Sequence, residues 1–118
     1  MANATGKLGE SHIAKYLEQR GYRILKRNYH CRFGEIDIIA ANDQYIAFVE
    51  VKTRRKDSMV APFEAITPQK QQKIVLTAGQ YITTHQPTQQ PRFDSAAVYT
   101  ENGKIVGEDY LENAFFGA

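Results

Sequence analysis

The chain has almost none of the residues that crosslink small proteins. Among its 118 residues one is cysteine, Cys31, and three are histidine, His12, His30 and His85. A lone thiol closes no intramolecular disulfide, and imidazoles so scattered have no zinc-ligand spacing, which excludes disulfide and structural-zinc scaffolds. Tryptophan is absent, and with 4 prolines and 8 glycines no segment has the bias of a low-complexity linker. No apolar run approaches the roughly 18 residues that span a bilayer. The stretch from Met1 to Lys15 lacks the apolar core of a signal peptide. The expectation is therefore a cytoplasmic protein with no membrane partner. At 42% hydrophobic and 24% charged residues, a chain of this length supports one core, which predicts a single domain over 1–118.

What is present is an uneven charge distribution. Lysine and arginine total 15 against 13 aspartates and glutamates, a net charge of only +2. Yet Arg20, Arg23, Lys26, Arg27 and Arg32 follow one another with no acid between them, and Lys52, Arg54, Arg55 and Lys56 form a second basic cluster. From Glu101 onward the sign reverses, with Glu108, Asp109 and Glu112 against Lys104 alone. Such asymmetry suits a polyanion on one side of the molecule, and it equally suits an ordinary solvated basic face.

Ile13, Ala14, Tyr16 and Leu17 recur at helical spacing, and Gly21 follows where a left-handed residue would end a helix running from roughly Lys7 to Arg20. Tyr22 to Tyr29 alternates apolar with basic residues, the pattern of a strand with a basic outer face. Glu35 to Ala41 and Tyr45 to Thr53 are stronger strands, joined by a turn at Asn42, Asp43 and Gln44. Arg54 to Ile66, with Pro62, reads as an irregular crossover. Thr67 followed by Pro68 is an N-cap and first helical position, opening a helix from Pro68 to Thr84 with Ile74, Val75, Ala78 and Ile82 on one side. Gln86 to Pro91 is a loop. Phe93 to Thr100 and Lys104 to Val106 flank Asn102-Gly103, a hairpin signal. Leu111 to Phe116 reads as a short helix or a packing tail.

Charges inside the apolar strands need a physical reason. Side chains alternate along a strand, so Glu35, Asp37 and Ile39 share one face of the first strand, and Ile46, Phe48, Glu50 and Lys52 share one face of the second. An even-length hairpin loop pairs an odd-numbered residue with an even-numbered one, and a turn centred between Asp43 and Gln44 sets Asp37 opposite Glu50. Two carboxylates so placed repel by roughly 4 kcal/mol at 4 Å and an effective dielectric of 20. Lys52 offsets part of this, and a divalent ion offsets more, since Mg²⁺ takes one or two carboxylates together with water and phosphate oxygens. Glu10 lies three residues before Ile13 on the apolar stripe of the first helix, so it either reaches the sheet's acids or merely complements the helix dipole. A Glu-x-Lys triplet arises by chance about once in two chains of this composition, so the weight rests on its placement. A salt-bridged, half-exposed hairpin is the ordinary structural alternative.

The run Gly34-Glu35-Ile36-Asp37-Ile38-Ile39-Ala40 followed by Phe48-Val49-Glu50-Val51-Lys52-Thr53-Arg54 resembles the PD-(D/E)xK nuclease superfamily, and closely resembles its small bacterial YraN-type members. Gly9-Glu10 with Ala14 and Leu17, then Gly21, Asn28, Arg92-Phe93-Asp94 and Glu112-Asn113-Ala114-Phe115 extend the likeness over nearly the whole chain. The superfamily's first proline is absent, since Ile36 precedes Asp37. The resemblance implies an α/β, restriction-endonuclease-like core, a mixed β-sheet flanked by helices, similar to that of Holliday junction resolvases. It implies Asp37, Glu50 and Glu10 as acids for Mg²⁺ or Mn²⁺, and Lys52 as the catalytic lysine, in an endonuclease hydrolysing DNA, including branched or structured DNA. Resolvase-like relatives act as dimers, so a homodimer is also implied. Arg32, Arg54, Arg55, Lys70 and Lys73 are candidate phosphate contacts. Glu35 shares the face of Asp37 and is either a neighbour of the site or a solvated residue at the strand entrance. Gln71 extends the stripe of the second helix backward and reads as a helix-surface glutamine or a contact to the site, and Asp94 reads as structural, paired with an arginine. The alternative function is a nucleic-acid-binding module of the same fold without cleavage of its own.

Overall fold

The structure is a computed structural model and describes residues 4–57 and 66–115. Its elements run α1 (Ala4–Gln19), β1 (Arg23–Cys31), β2 (Gly34–Ala41), β3 (Tyr45–Arg55), α2 (Pro68–His85), β4 (Gln90–Glu101) and β5 (Lys104–Phe115). The strands form one five-stranded sheet in the order β1-β2-β3-β4-β5. β3 and β4 pair in parallel, while every other neighbouring pair is antiparallel. Antiparallel neighbours need only a tight turn, whereas the parallel pair needs a crossover, and α2 lies within that connection. The fold is thus α/β with a mixed sheet and two helices. No helix among the described residues is long and apolar enough to cross a membrane.

Alternate residues of β2 feed two cores. Ile38 and Ala40 pack with Ile13, Ala14 and Leu17 of α1, whereas Ile39 and Ala41 pack with Ile74, Ala78 and Tyr81 of α2. One helix therefore covers each face, and strands buried on both faces become the near-continuous apolar runs seen in β2 and β3. The α2 stripe differs from the expected one. Thr77 and Tyr81 are buried with Ile74 and Ala78, while Val75 and Ile82 are only partly covered. Tyr81 is amphipathic and Thr77 donates its hydroxyl to Lys73 O at 2.7 Å, so neither reads as core from hydropathy alone.

Both helices end as their sequences require. Gly21 has φ +88°, and the N–H groups of Gly21 and Tyr22 return to Glu18 O and Leu17 O at 3.1 Å each, a Schellman closure of α1. Thr67 Oγ1 accepts from Lys70 N at 3.2 Å, and Pro68 occupies the first turn of α2. Gln71 turns back to donate Nε2 to Ile66 O at 2.8 Å, so it steadies the entry to α2 and does not line the acidic pocket.

The β2–β3 hairpin has the even-length turn. Asn42 N donates to Tyr45 O at 3.0 Å, and Asn42 Oδ1 accepts from Gln44 N and Tyr45 N at 2.9 and 2.7 Å. The ladder then runs Ala41↔Ile46, Ala40↔Ala47, Ile39↔Phe48 and Ile38↔Val49, and it stops there, one residue short of the expected Asp37–Glu50 pair. Asn102 and Gly103 have φ +53° and +77°, the two left-handed positions of a type I′ turn.

Two expectations change. β3 continues through Arg55 because its parallel partner extends with it to Thr100, so the crossover starts later than Arg54. Residues 58–65, which include Pro62, lie outside the described residues. The C-terminal segment is neither helix nor tail. β5 continues to Phe115 and pairs with β4 back to Phe93, with irregular register between Phe93 and Ser95 and Asn113 at φ +54°. The kink interrupts period-two patterning, which hid the strand.

Candidate active site

Asp37 stands at a break in the sheet. On one side the β1–β2 ladder passes from Tyr29↔Ile36 to Arg27↔Ile38 without a pair at Asp37, where Asn28 takes φ +54°. On the other side the β2–β3 ladder ends at Ile38↔Val49. The side chain fills the gap: Asp37 Oδ2 accepts from Val51 N at 2.7 Å, standing in for a strand carbonyl. β3 keeps its full pairing with β4 here, so the site is built on a strand held rigidly along its other edge.

Two further acids stand near it, Glu10 from α1 and Glu50 from β3. Glu10 of α1 is only 5% exposed, and its Oε1 lies 3.7 Å from Arg27 Nη2 of β1. Glu50 is paired with Lys70, in the first turn of α2. Glu10 Oε1 and Glu50 Oε2 are buried oxygens with no hydrogen-bond partner among the described residues. Burial of Asp37, together with the charges of Glu10, Glu50 and Glu35, pushes its carboxyl up to about 6, against the opposing pull of the Val51 N–H. A carboxyl so placed exchanges its proton near neutrality and gains from any cation brought beside it.

Glu35, Asp37, Glu50 and Lys70 line a pocket of about 110 Å³ whose floor includes Phe48, Ile74 and Phe115. That space holds several waters. The fourth acid on its wall, Asp94, brings no unmatched charge. Arg92 donates to it from Nε at 2.9 Å and from Nη2 at 2.9 Å, Tyr110 Oη donates to it at 2.6 Å, and Asn113 N at 3.2 Å. The expected arginine partner of Asp94 is thus Arg92. Spacing gave no sign of the tyrosines: Tyr22 Oη accepts from Arg92 Nη2 at 2.7 Å, and burial beside Asp94 raises the Tyr110 hydroxyl well above its ordinary range.

The other singled-out residues divide. Lys52 is half-buried, two residues beyond Glu50, and does not line the pocket. Lys70 and Lys73 line a neighbouring depression with Gly34, Glu35, Thr67 and Gln69, so these two candidates come together beside the acids. Arg55 lies at the far end of β3, in a separate depression with Lys56 and Glu101. Arg54 is half-buried in β3, and Arg32 is exposed with its guanidinium 4.8 Å from the Phe33 ring centre. Among the described residues no group of three or more His, Cys, Asp or Glu side chains is gathered so as to hold a metal ion. Glu10, Asp37 and Glu50 thus interact electrostatically without forming a ready-made cage.

The donor set nevertheless suits a hard divalent ion. Its atoms are carboxylate oxygens, two of the acids carry buried oxygens lacking hydrogen bonds, and Mg²⁺ uses one or two carboxylates with water completing its shell. Asp37 and Glu50, on adjacent strands and lining the same pocket, are the pair a single ion would bridge, with Glu10 the third acid nearby.

A profile described as uncharacterised protein family UPF0102 matches residues 9–98, a span that includes Glu10, Asp37, Glu50 and Lys52 and stops before β5. A UPF0102 protein of Syntrophus aciditrophicus is 52% identical over 95 residues, covering 80% of this chain and 75% of its own. One from Alkaliphilus metalliredigens is 45% identical over 116 residues, covering 98% of this chain and 100% of its own. One from Psychromonas ingrahamii is 36% identical over 114 residues, covering 97% and 91%.

Proposed function

This chain belongs to the uncharacterised protein family UPF0102, and from that premise we propose that it is a divalent-metal-dependent nuclease of the PD-(D/E)xK kind, hydrolysing phosphodiester bonds of DNA. The observation that carries this reading is the Asp37–Glu50 pair: two acids on adjacent strands, just past the last ladder pair Ile38↔Val49, one raised to about 6, lining one pocket together with Lys70. Paired acids destabilise a fold, and a bound dication plus an anionic substrate is the ligand set that reverses the penalty.

Asp37 and Glu50 would hold Mg²⁺ or Mn²⁺, and the ion when bound supplies Lewis acidity toward a phosphate and lowers the pKa of water. Asp37 is held by the Val51 N–H, which orients one oxygen and leaves the other available. Lys52 follows Glu50 on the same strand face and is the candidate to orient or deprotonate the attacking water. Glu10, steadied by Arg27, sets the local field and is the third acid of the proposed site. Lys70 and Lys73 border the pocket where a phosphate backbone would lie.

A second reading is favoured by two observations. The Lys70–Glu50 pair and the lack of a gathered three-ligand group also suit a module that binds nucleic acid without cutting it. Calorimetric titration with Mg²⁺ and Mn²⁺, run beside cleavage of duplex, single-stranded, flapped and four-way-junction DNA, separates the two. The nuclease reading expects metal binding and cutting, both lost in Asp37→Ala. Cutting undiminished in Asp37→Ala would falsify it, and DNA binding that persists in EDTA with no metal uptake establishes the module instead.

A further inference from the structure

Lys70 belongs to two neighbouring surfaces at once. It lines the acidic pocket with Asp37 and Glu50, and it lines the adjoining depression with Thr67, Gln69 and Lys73. Its ammonium is paired with Glu50, whose other oxygen, Oε2, is buried without a hydrogen bond among the described residues. The two partners differ in freedom: the lysine side chain is 47% exposed and the glutamate 17%. A flexible stem that is half in solvent can leave, whereas a carboxylate fixed on a central strand cannot.

A dication at Glu50 and an ammonium at Glu50 exclude one another by like-charge repulsion. We infer that Lys70 is an exchangeable counter-cation: it neutralises Glu50 while no divalent ion is bound, and on metal binding it turns toward Lys73 and contacts a phosphate of the bound DNA. This inference rests on the metal-dependent reading of the pocket. It adds a consequence that reading lacks, namely that metal and DNA each tighten the other through one side chain. Lys73, one turn further along α2, is exposed and makes no ion pair among the described residues, so it marks the destination without sharing the switch.

The test uses Mn²⁺ titration by calorimetry and anisotropy of a labelled duplex in EDTA across a salt series, with circular dichroism verifying that each variant is folded. Lys70→Met is expected to bind Mn²⁺ at least about tenfold more tightly than wild type, because no ammonium has to be displaced. Glu50→Gln releases Lys70 without metal, so in EDTA it is expected to bind duplex more tightly, with a salt slope steeper by about one. That gain is expected to vanish in Glu50→Gln/Lys70→Met and to survive in Glu50→Gln/Lys73→Met. If wild type and Lys70→Met bind Mn²⁺ equally well, the exchange is overturned while the metal reading stands. Binding of Mn²⁺ by neither protein overturns both. A duplex gain that persists in Glu50→Gln/Lys70→Met belongs to the lost carboxylate charge and overturns the phosphate contact.

Discussion

Asp37 shows how one side chain carries opposing demands. As the acceptor for Val51 N–H it repairs a gap in the sheet, yet as a buried charge beside Glu10 and Glu50 it opposes folding. Its folded carboxyl at about 6 lies above the unfolded value of 3.8, so its contribution favours the fold below pH 3.8 and is lost as pH rises through 6. That gap corresponds to about 3 kcal/mol. Asp37→Asn keeps an acceptor for Val51 and removes the charge. It should therefore be more stable than wild type by up to about 3 kcal/mol at pH 7.5, with the advantage gone near pH 4. Urea melts at the two pH values measure this, and an advantage that does not change with pH contradicts the assignment. Because ligands bind deprotonated, Mg²⁺ uptake near pH 6 should release protons in wild type and fail to do so in Asp37→Asn, which calorimetry in buffers of different ionisation enthalpy detects.

Among the elements, α1 is the one whose placement the site depends on most, and Gly9 sets its distance from β3. A Cβ at Gly9 would stand 2.2 Å from Thr53 Oγ1, so with the Thr53 hydroxyl as it lies a glycine is what lets the helix approach this closely and carry Glu10 into the interior. Gly9→Ala gains about 1 kcal/mol of helix propensity and loses about 1–3 kcal/mol to overpacking. In a Thr53→Ala background the clash disappears and only the gain remains. A double-mutant cycle is expected to show coupling of at least about 1 kcal/mol between the two positions. Additive effects would mean that the helix already has room. α2 shows the converse dependence, since its capping Thr67 and first turn deliver Lys70 to Glu50. Loss of that cap in Thr67→Ala should destabilise the protein by about 1 kcal/mol and weaken the pair it presents, readable from thermal melts.

On the scale of the molecule, the order of strands separates the charge. β1 is one edge of the sheet and exposes Arg23, Lys26, Arg27 and His30, whereas β5 is the other edge and carries Glu108, Asp109 and Glu112. DNA approaching the proposed site should meet the basic edge. Arg23→Glu/Lys26→Glu is expected to weaken duplex binding and flatten its salt dependence, while Glu112→Gln leaves the slope unchanged. Equal effects from both edges would place the DNA elsewhere. With principal extents of 42 × 31 × 24 Å the chain is small beside a four-way junction, which is the argument for the homodimer that the resemblance implies, and light scattering over a concentration series tests it. Much of the architecture was legible beforehand. Gly21, Thr67-Pro68 and Asn102-Gly103 are local stereochemical instructions, and the parity of the Asn42–Tyr45 turn sets the register as far as Ile38 and Val49, beyond which the ladder stops and Asp37 accepts from Val51 N instead. The apolar stripe of α1 was readable too, and of the two readings it allowed for Glu10 the structure favours the interior one, since Glu10 is buried on the side of Ile13, Ala14 and Leu17. The sequence by itself thus determined most of the elements and the hairpin register from Ala41 to Ile38, since each depends on neighbours within a few residues or on strand periodicity, whereas β5 beyond its kink was hidden. Only the tertiary structure decided that Lys70 pairs with Glu50, that Arg27 faces Glu10, that His12 meets Glu108 at 2.8 Å, and that Asp94 is closed by Arg92 and Tyr110. Those contacts join residues brought together by sheet order and helix docking, and no local spacing encodes which cation will stand beside which acid.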